Sequence, residues 1–292
     1  MEFELDFGDG EVIDINVSSK GVVYPPKNNK IALIDADTIV FGACVQNEYC
    51  TEEDIGVGEV KFVEKWDINI EDAFQHATDK ITSILNYTGC KDFELHFTSG
   101  RDSFRYTRVD PEYKANRLNS DKRTPAGLSE LKNLFTSRFP DKAFIWKEWE
   151  ADDIVVFKKV NHYDDYILCA VDKDVLYTIP GTHFNYYSST QHKIDMKFIE
   201  VDEFRATRHH YIQVLTGDTG DNVIGLKGVG PKTAEKILGK YYDHKTLWKK
   251  VVEEYELKGR GELEAIKNMR FVNMHQLVYN DNKEIEVRLW KM

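Results

Sequence analysis

Eight acidic side chains in four short clusters constrain this chain more than any other feature. Asp35 ends the apolar run Ile31-Ala32-Leu33-Ile34, and Glu150, Asp152 and Asp153 share the segment Glu-Ala-Asp-Asp. Asp172 and Asp174 follow Ile167-Leu168-Cys169-Ala170-Val171, and Asp218 and Asp221 lie in Gly-Asp-Thr-Gly-Asp. Three clusters sit at or just after short apolar runs, where strands of an α/β sheet end and ligands bind. Brought together, so many like charges are very costly without cations. Hard divalent cations with oxygen ligands, Mg²⁺ or Mn²⁺, are the natural counter-charge. A carboxylate cage around two such ions is an arrangement that hydrolyses phosphodiesters. Each cluster alone reads as a solvated surface or a helix cap, so the weight rests on the joint pattern.

The glycine-rich segment just after Asp221 strengthens that pattern. In Gly225-Leu226-Lys227-Gly228-Val229-Gly230-Pro231-Lys232-Thr233-Ala234-Glu235-Lys236-Ile237-Leu238, Gly228 and Gly230 suit a turn needing positive φ, and Pro231 suits a first helical turn. Ala234, Ile237 and Leu238 recur at helical spacing. The segment reads as a helix–hairpin–helix whose backbone N–H groups can approach a phosphate. Lys232, Lys236 and Lys240 fall four apart, as residues on one helical face do. The bland reading is a glycine-rich turn between two core helices.

In order along the chain come Leu-Ile-Asp-Ala-Asp, Asp-Pro-Glu-Tyr-Lys-Ala-Asn-Arg, Glu-Ala-Asp-Asp, Asp-Lys-Asp, Gly-Asp-x-x-Asp-Asn and the Gly-x-Gly turn. With these motifs the chain resembles the 5′-nuclease (flap endonuclease) superfamily. The nearest likeness is to the 5′→3′ exonucleases of T-odd coliphages and the 5′-nuclease domains of bacterial DNA polymerases. The match runs from about Ile31 to Leu238, with a weaker echo from Asn282 to Trp290. It implies an α/β fold: a PIN-like nuclease core with a mostly parallel central sheet, helices on both faces, a helical arch at about 100–130, and a helix–hairpin–helix subdomain. The expected division is 1–29 as β-hairpin and linker, 30–204 as nuclease core, and 205–292 as DNA-binding subdomain and C-terminal segment.

The resemblance also assigns roles. Asp35, Glu150 and Asp152, with Asp153 nearby, would form a first metal site, and Asp172, Asp174, Asp218 and Asp221 a second. Asp153 has three open readings: a direct ligand, a ligand through water, or a helix cap. Two Mg²⁺ ions are implied, with Mn²⁺ as a substitute and K⁺ at the hairpin. Lys114 and Arg117 are expected to clamp the scissile phosphate from one face of a helix. Tyr113 is expected to stack on a terminal base, Arg105 to contact phosphate, and Gly228, Gly230, Lys232 and Lys236 to bind duplex. An exposed helix whose cations only solubilise is the alternative for Lys114 and Arg117. Where family members carry an acid after the second strand, this chain reads Thr98-Ser99-Gly100-Arg101-Asp102. Either Asp102 folds back to serve, or the first site has one carboxylate fewer.

A formal net charge of −11 argues against indiscriminate adhesion to nucleic acid, but the charge is uneven. Residues 101–142 hold ten Lys/Arg against six Asp/Glu, and residues 225–250 seven against two, whereas residues 48–79 hold ten acids against two lysines. That distribution fits a protein gripping DNA along defined tracks. Cys44, Cys50, Cys90 and Cys169 show no Cys-x-x-Cys pairing and read as buried free thiols of a reducing cytoplasm. His209 and His210 read as packing or surface residues. No apolar run approaches the roughly 20 residues of a membrane span, and the acidic N-terminus is no signal peptide.

The function implied is a metal-dependent 5′→3′ exonuclease acting as a monomer on DNA with 5′ ends or flaps and on RNA–DNA hybrids. Its role would be primer removal in phage replication or degradation of host DNA, in the host cytoplasm. A structure-specific DNA-binding protein with a weakened site is the alternative, motivated by Ser99. A PIN-type ribonuclease would share the acidic sheet edge but not the glycine turn.

Overall fold

The computed structural model describes residues 4–6, 12–14, 24–54, 62–100, 102–117 and 123–292. The chain forms two compact units, Met1–Phe97 with Arg123–Ile145, and Thr98–Lys122 with Trp146–Met292.

The first unit contains β1 (Glu4–Asp6), β2 (Val12–Asp14), β3 (Ile31–Asp35), α1 (Asp37–Asn47), β4 (Glu48–Asp54), β5 (Phe62–Ile68), α2 (Ile70–Thr88), β6 (Asp92–Thr98), α3 (Leu128–Arg138) and β7 (Ala143–Trp146). β1 and β2 pair antiparallel, while the turn between them lies outside the described residues. β3 and β6 run parallel with Ile34 opposite Leu95. Ala32, Leu33 and Ile34 are all fully buried, as a continuous apolar run should be in a covered sheet. On α2 the buried residues include Ala73, Ala77, Ile81, Ile84 and Leu85, the face expected from their spacing. Asn69 caps its first turn, and Gly89, at φ +68, ends it in the left-handed region that glycine enters without strain.

Two features of this unit differ from the sequence reading. Residues 24–30, read as a linker, are tied down: Asn28 N donates to Gly89 O at 2.8 Å. The acidic tract after α1 is an antiparallel ribbon, β4 against β5, from Glu48 opposite Ile68 to Asp54 opposite Phe62. Cys50 lies on that ribbon and is exposed, whereas Cys44, Cys90 and Cys169 are buried. All four thiols are free.

The second unit contains α4 (Ala151–Asn161), β8 (Tyr166–Ala170), α5 (Lys173–Leu176), β9 (Gly181–Asn185), β10 (Lys197–Val201), α6 (Glu203–Thr216), β11 (Gly217–Asp218), β12 (Val223–Ile224), α7 (Pro231–Leu238), α8 (His244–Leu257), α9 (Glu262–Val272), β13 (Leu277–Tyr279) and β14 (Ile285–Val287). β8 and β9 are parallel, and β10 adds antiparallel to β9. Helices α6 to α9 share a core of Leu215, Leu238, Leu247, Val251, Tyr255 and Met269. The architecture is mixed α/β with a mainly parallel central sheet, as expected. The segment expected to begin a helical arch takes another form: a π-helical turn at Arg105–Val109 and a 3₁₀ turn at Ala115–Arg117. Lys114 between them has φ +55, so the described residues of the segment are not one α-helix. No helix among the described residues is long and apolar enough to cross a membrane.

Candidate active site

Three segments of the second unit deliver acids to one place. Glu150 stands at the N-cap of α4, and its backbone N donates to Asp153 Oδ2 at 3.4 Å. Asp172 caps α5 by accepting from Asp174 N at 2.8 Å. Asp218 accepts from Gly220 N at 2.8 Å in the tight connection between β11 and β12, which also carries Asp221. Just after β12, a side chain at Gly225 would collide with Thr216, its Cβ lying 2.1 Å from Thr216 C, so β12 can return beside the end of α6 only with glycine there.

Basic and phenolic groups fill the space between these acids. Lys114 Nζ bonds Glu150 Oε1 and lies 3.6 Å from Asp221 Oδ2. Arg117 Nη2 donates to Asp221 Oδ1 at 2.7 Å. The Tyr113 hydroxyl lies 2.9 Å from both Glu150 Oε2 and Asp221 Oδ2, bridging two clusters that are far apart in sequence. Burial and the Glu150 charge push the phenol well above its usual range, so it remains a donor. For Glu150, burial alone would raise the carboxyl, but the charges of Lys114 and then Arg105 bring it down to about 2. Asn116 Nδ2 donates to Thr219 O at 2.6 Å and Asn222 Nδ2 to Glu112 O at 2.7 Å, stapling the segment of Lys114 to the loop of Asp221.

The remaining acids crowd one another. Asp172 keeps an exposed face, yet partial desolvation and then the charges of Asp174, Asp221 and Asp218 push its carboxyl up. Asp218 is raised by burial and then by Asp221 and Asp174. Burial also works against Asp174, but the hydrogen bond and charge of His209 outweigh it and lower its pKa. Asp174 and Asp218 act on each other, so that the presence of Asp174 helps to raise Asp218. Carboxylates that raise one another by their charge have the donor chemistry of a site for a hard divalent ion. Among the described residues no three His, Cys, Asp or Glu side chains form a ready ligand set, and Lys114, Arg117 and Arg105 engage Glu150, Asp221 and Asp153.

The raised pKa of Asp218 gives a stability prediction. A carboxyl raised in the fold destabilises the folded state as pH climbs through its folded value, and that penalty is absent below its unfolded value. Asp218→Asn keeps a donor toward Asp174 and removes the charge. Its Tm is expected to rise, on the order of 2 °C near pH 8, and to be unchanged below about pH 3. A lower Tm at pH 8 in differential scanning calorimetry contradicts the crowding.

Several expected roles are corrected by position. Tyr113 is not available to stack on a base: it is buried, and its ring stacks on Phe271 at 5.3 Å. Arg105 is not available to a phosphate either. It is fully buried and grips Asp153 with both nitrogens, Nη1 to Oδ2 at 2.5 Å and Nη2 to Oδ1 at 2.7 Å. Its charge opposes burial, and Asp153 holds its pKa well above the ordinary value. Asp153 is therefore occupied on both oxygens by Arg105, the position of a structural counter-ion. His209, read as packing or surface, pairs with Asp174 at 3.2 Å, whereas His210 is buried and bonded to Thr178. Nothing in the His-His pair itself distinguishes the two. Asp152 is half-buried in the first turn of α4, and its charge acts on Lys114. Ser99 and Asp102 are both exposed beyond β6. Asp35 belongs to the first unit, where it is buried at the end of β3.

At the glycine turn, Gly228 has φ +82, but Gly230 is extended at φ −93 and caps α7. Neither would bring a Cβ within 4 Å of another atom, so the backbone there is open to approach. Lys232 and Lys236 are exposed on α7, while Lys240 lies beyond Gly239, which ends the helix at φ +60. One open groove is lined by Lys232 and Lys236 together with Asp218, His209, Lys173 and Arg205.

No protein-family model matches the chain. DNA polymerase I of Lactococcus lactis subsp. lactis is 25% identical over 212 residues, covering 67% of this chain and 23% of the polymerase. The chain thus spans less than a quarter of that relative. A variant of the T5 5′-exonuclease superposes with a TM-score of 0.56 at 14% identity, covering 85% of this chain and 89% of the exonuclease. The fold is that of the 5′-nucleases. A further T5 structure, a variant of the bacteriophage T5 D15 flap endonuclease in a complex with DNA and metal ions, matches with a TM-score of 0.52 at 19% identity over 69% of this chain and 80% of its own.

Proposed function

We propose that this chain is a divalent-metal-dependent 5′→3′ nuclease that hydrolyses DNA from 5′ ends and flaps, and RNA in RNA–DNA hybrids, in the service of phage replication or host DNA degradation. The observation that carries this is the meeting of Glu150 and Asp221 on Tyr113 and Lys114, beside the mutually repelling Asp172, Asp174 and Asp218, in a chain with the 5′-nuclease fold. Mg²⁺ is the proposed cation, with Mn²⁺ as its substitute; K⁺ at the glycine turn is drawn from the resemblance alone.

When bound, a pair of divalent cations supplies charge neutralisation at the phosphate and a nucleophile at neutral pH. Glu150 and Asp152 are the proposed ligands at one side, and Asp172, Asp174, Asp218 and Asp221 at the other. Tyr113 holds Glu150 and Asp221 in register, and His209 orients Asp174. Lys114 and Arg117 offset charge gathering on the phosphate oxygens as the water oxygen bonds to phosphorus and the ester oxygen leaves. Gly228, Gly230, Lys232 and Lys236 are the proposed duplex grip. The test is metal-dependent cleavage of a 5′-flapped duplex.

Gly230→Val tests the grip separately. The backbone conformation accepts valine and the new side chain meets no atom, so Tm should hold. Duplex affinity, measured by fluorescence anisotropy in EDTA, is expected to weaken roughly tenfold as backbone donors lose access to phosphate. Lys232→Ala and Lys236→Ala should each make the salt dependence shallower by about one phosphate contact. Unchanged affinity and slopes would place the duplex elsewhere.

A further inference from the structure

Arg205, His209 and Gln213 fall four apart on α6, so they form one row along a single face, about 12 Å long at 1.5 Å per residue. The row leads to Asp218, and all four residues line the open groove that also holds Lys232 and Lys236 of α7. His209 is taken by Asp174, so Arg205 and Gln213 decide what the groove can hold. Arg205 is exposed, and its guanidinium lies over the Tyr177 ring with Cζ 3.6 Å from the ring centre. Tyr177 meets His209 edge-on at 5.8 Å, which ties that stack to the acid cluster. A stacked guanidinium keeps its in-plane N–H donors for a two-oxygen partner such as phosphate. Asp202 also lines the groove but is engaged at the N-cap of α6, accepting from Arg205 N at 2.7 Å.

Gln213 is the odd member of the row. It is only 7% exposed, yet its Oε1 is buried without a hydrogen-bond partner among the described residues. A buried polar atom left unpartnered costs stability, so packing gives no reason for an amide at this position. The last torsion of a glutamine is soft, and turning it offers either the oxygen or the NH₂ group to the groove. We propose that this face of α6 is a backbone track for one nucleic-acid strand: Arg205 on Tyr177 grips a phosphate, and Gln213 hydrogen-bonds the strand about two helical turns nearer the acids. At a rise of about 3.4 Å per nucleotide the row spans three to four nucleotides next to the reacting bond. This rests on the nuclease reading, which puts that bond at the acids. The track is separate from the proposed duplex grip, since neither Arg205 nor Gln213 belongs to the glycine turn or to α7.

Wild type, Arg205→Ala and Gln213→Met are compared in binding a 5′-flapped DNA duplex by fluorescence anisotropy in EDTA. Arg205→Ala should weaken binding about tenfold, and Arg205→Lys, which keeps the charge but not the fork, about threefold. Gln213→Met should weaken binding about threefold while its Tm holds or rises, a combination that a packing role would not produce. Single neutral methylphosphonates placed through the linkages flanking the cleavage position then locate the contact. At one linkage the substitution should weaken wild-type binding but leave Arg205→Ala binding unchanged, because the two changes remove the same interaction. Wild-type affinity in either Arg205→Ala or Gln213→Met overturns the track and leaves the nuclease reading intact. So does a methylphosphonate penalty that Arg205→Ala retains at every linkage. A Gln213→Met protein that loses both Tm and affinity assigns the amide to packing and also overturns it. Losses of affinity as expected, with no cleavage by wild type in Mg²⁺ or Mn²⁺, support the track and remove the nuclease reading instead.

Discussion

Asp174→Asn is expected to lower the cleavage rate by about 10²–10³-fold, the loss typical of removing one electrostatic stabiliser of a transition state. Asp172→Asn should behave alike. Asp172→Asn removes a charge crowded by its neighbours, and Asp174→Asn keeps an oxygen toward His209, so neither is expected to unfold the protein. The loss should fall on turnover more than on DNA affinity, because the carboxylates repel phosphate and act on it only through bound cations. Single-turnover cleavage of a flapped duplex, with Kd measured separately in EDTA, separates the two effects. Near-normal cleavage by both variants in Mg²⁺ would remove these acids from the chemistry.

The largest stability effect is expected at Arg105. Its guanidinium is fully buried, forked onto Asp153, and donates further to Phe271 O at 2.6 Å and Asn273 O at 3.1 Å. Arg105→Ala leaves the buried Asp153 carboxylate and those carbonyls without their partner, which should cost about 3–5 kcal/mol. In a unit of this size that is a fall in Tm of roughly 10 °C. A second change, Asp153→Leu, should recover part of the loss, because the unpaired charge and not the missing guanidinium dominates the cost. Thermal denaturation of the single and double variants tests this. A variant with unaltered Tm and weakened DNA binding would return Arg105 to the phosphate-contact role that its motif suggested.

Much of the scaffold was legible in the sequence because it depends on local patterns. The apolar runs at Ile31 and Ile167 became β3 and β8, and the spacing from Ala73 to Leu85 became the buried face of α2. The placement of the acids at strand ends and helix starts came from the same runs. What was not legible depends on orientation. Arg105 and Tyr113 lie in a basic tract and read as DNA-facing, yet the π-helical turn at Arg105–Val109 and the contacts of its residues turn both inward. Sequence gives the residue type there but not the direction. His209 and His210 look equivalent until α6 packs, after which one meets Asp174 and the other a buried threonine. The ribbon of β4 and β5 was not legible because β4, with Glu48, Glu52, Glu53 and Asp54, carries no alternating apolar pattern. The end of α7 before Lys240 could have been read, since Gly239 is a familiar helix stop.

Metal-dependent hydrolysis at a 5′ end is the central claim, and one assay meets it directly. A 5′-flapped DNA duplex labelled at both ends of the flapped strand is incubated with the protein in Mg²⁺ and, in parallel, in EDTA. The expected result is release of the 5′ label on short products in Mg²⁺, retention of the 3′ label on the shortened strand, and no cleavage in EDTA. Binding without cleavage in either Mg²⁺ or Mn²⁺, or cleavage that persists unchanged in EDTA, would contradict it.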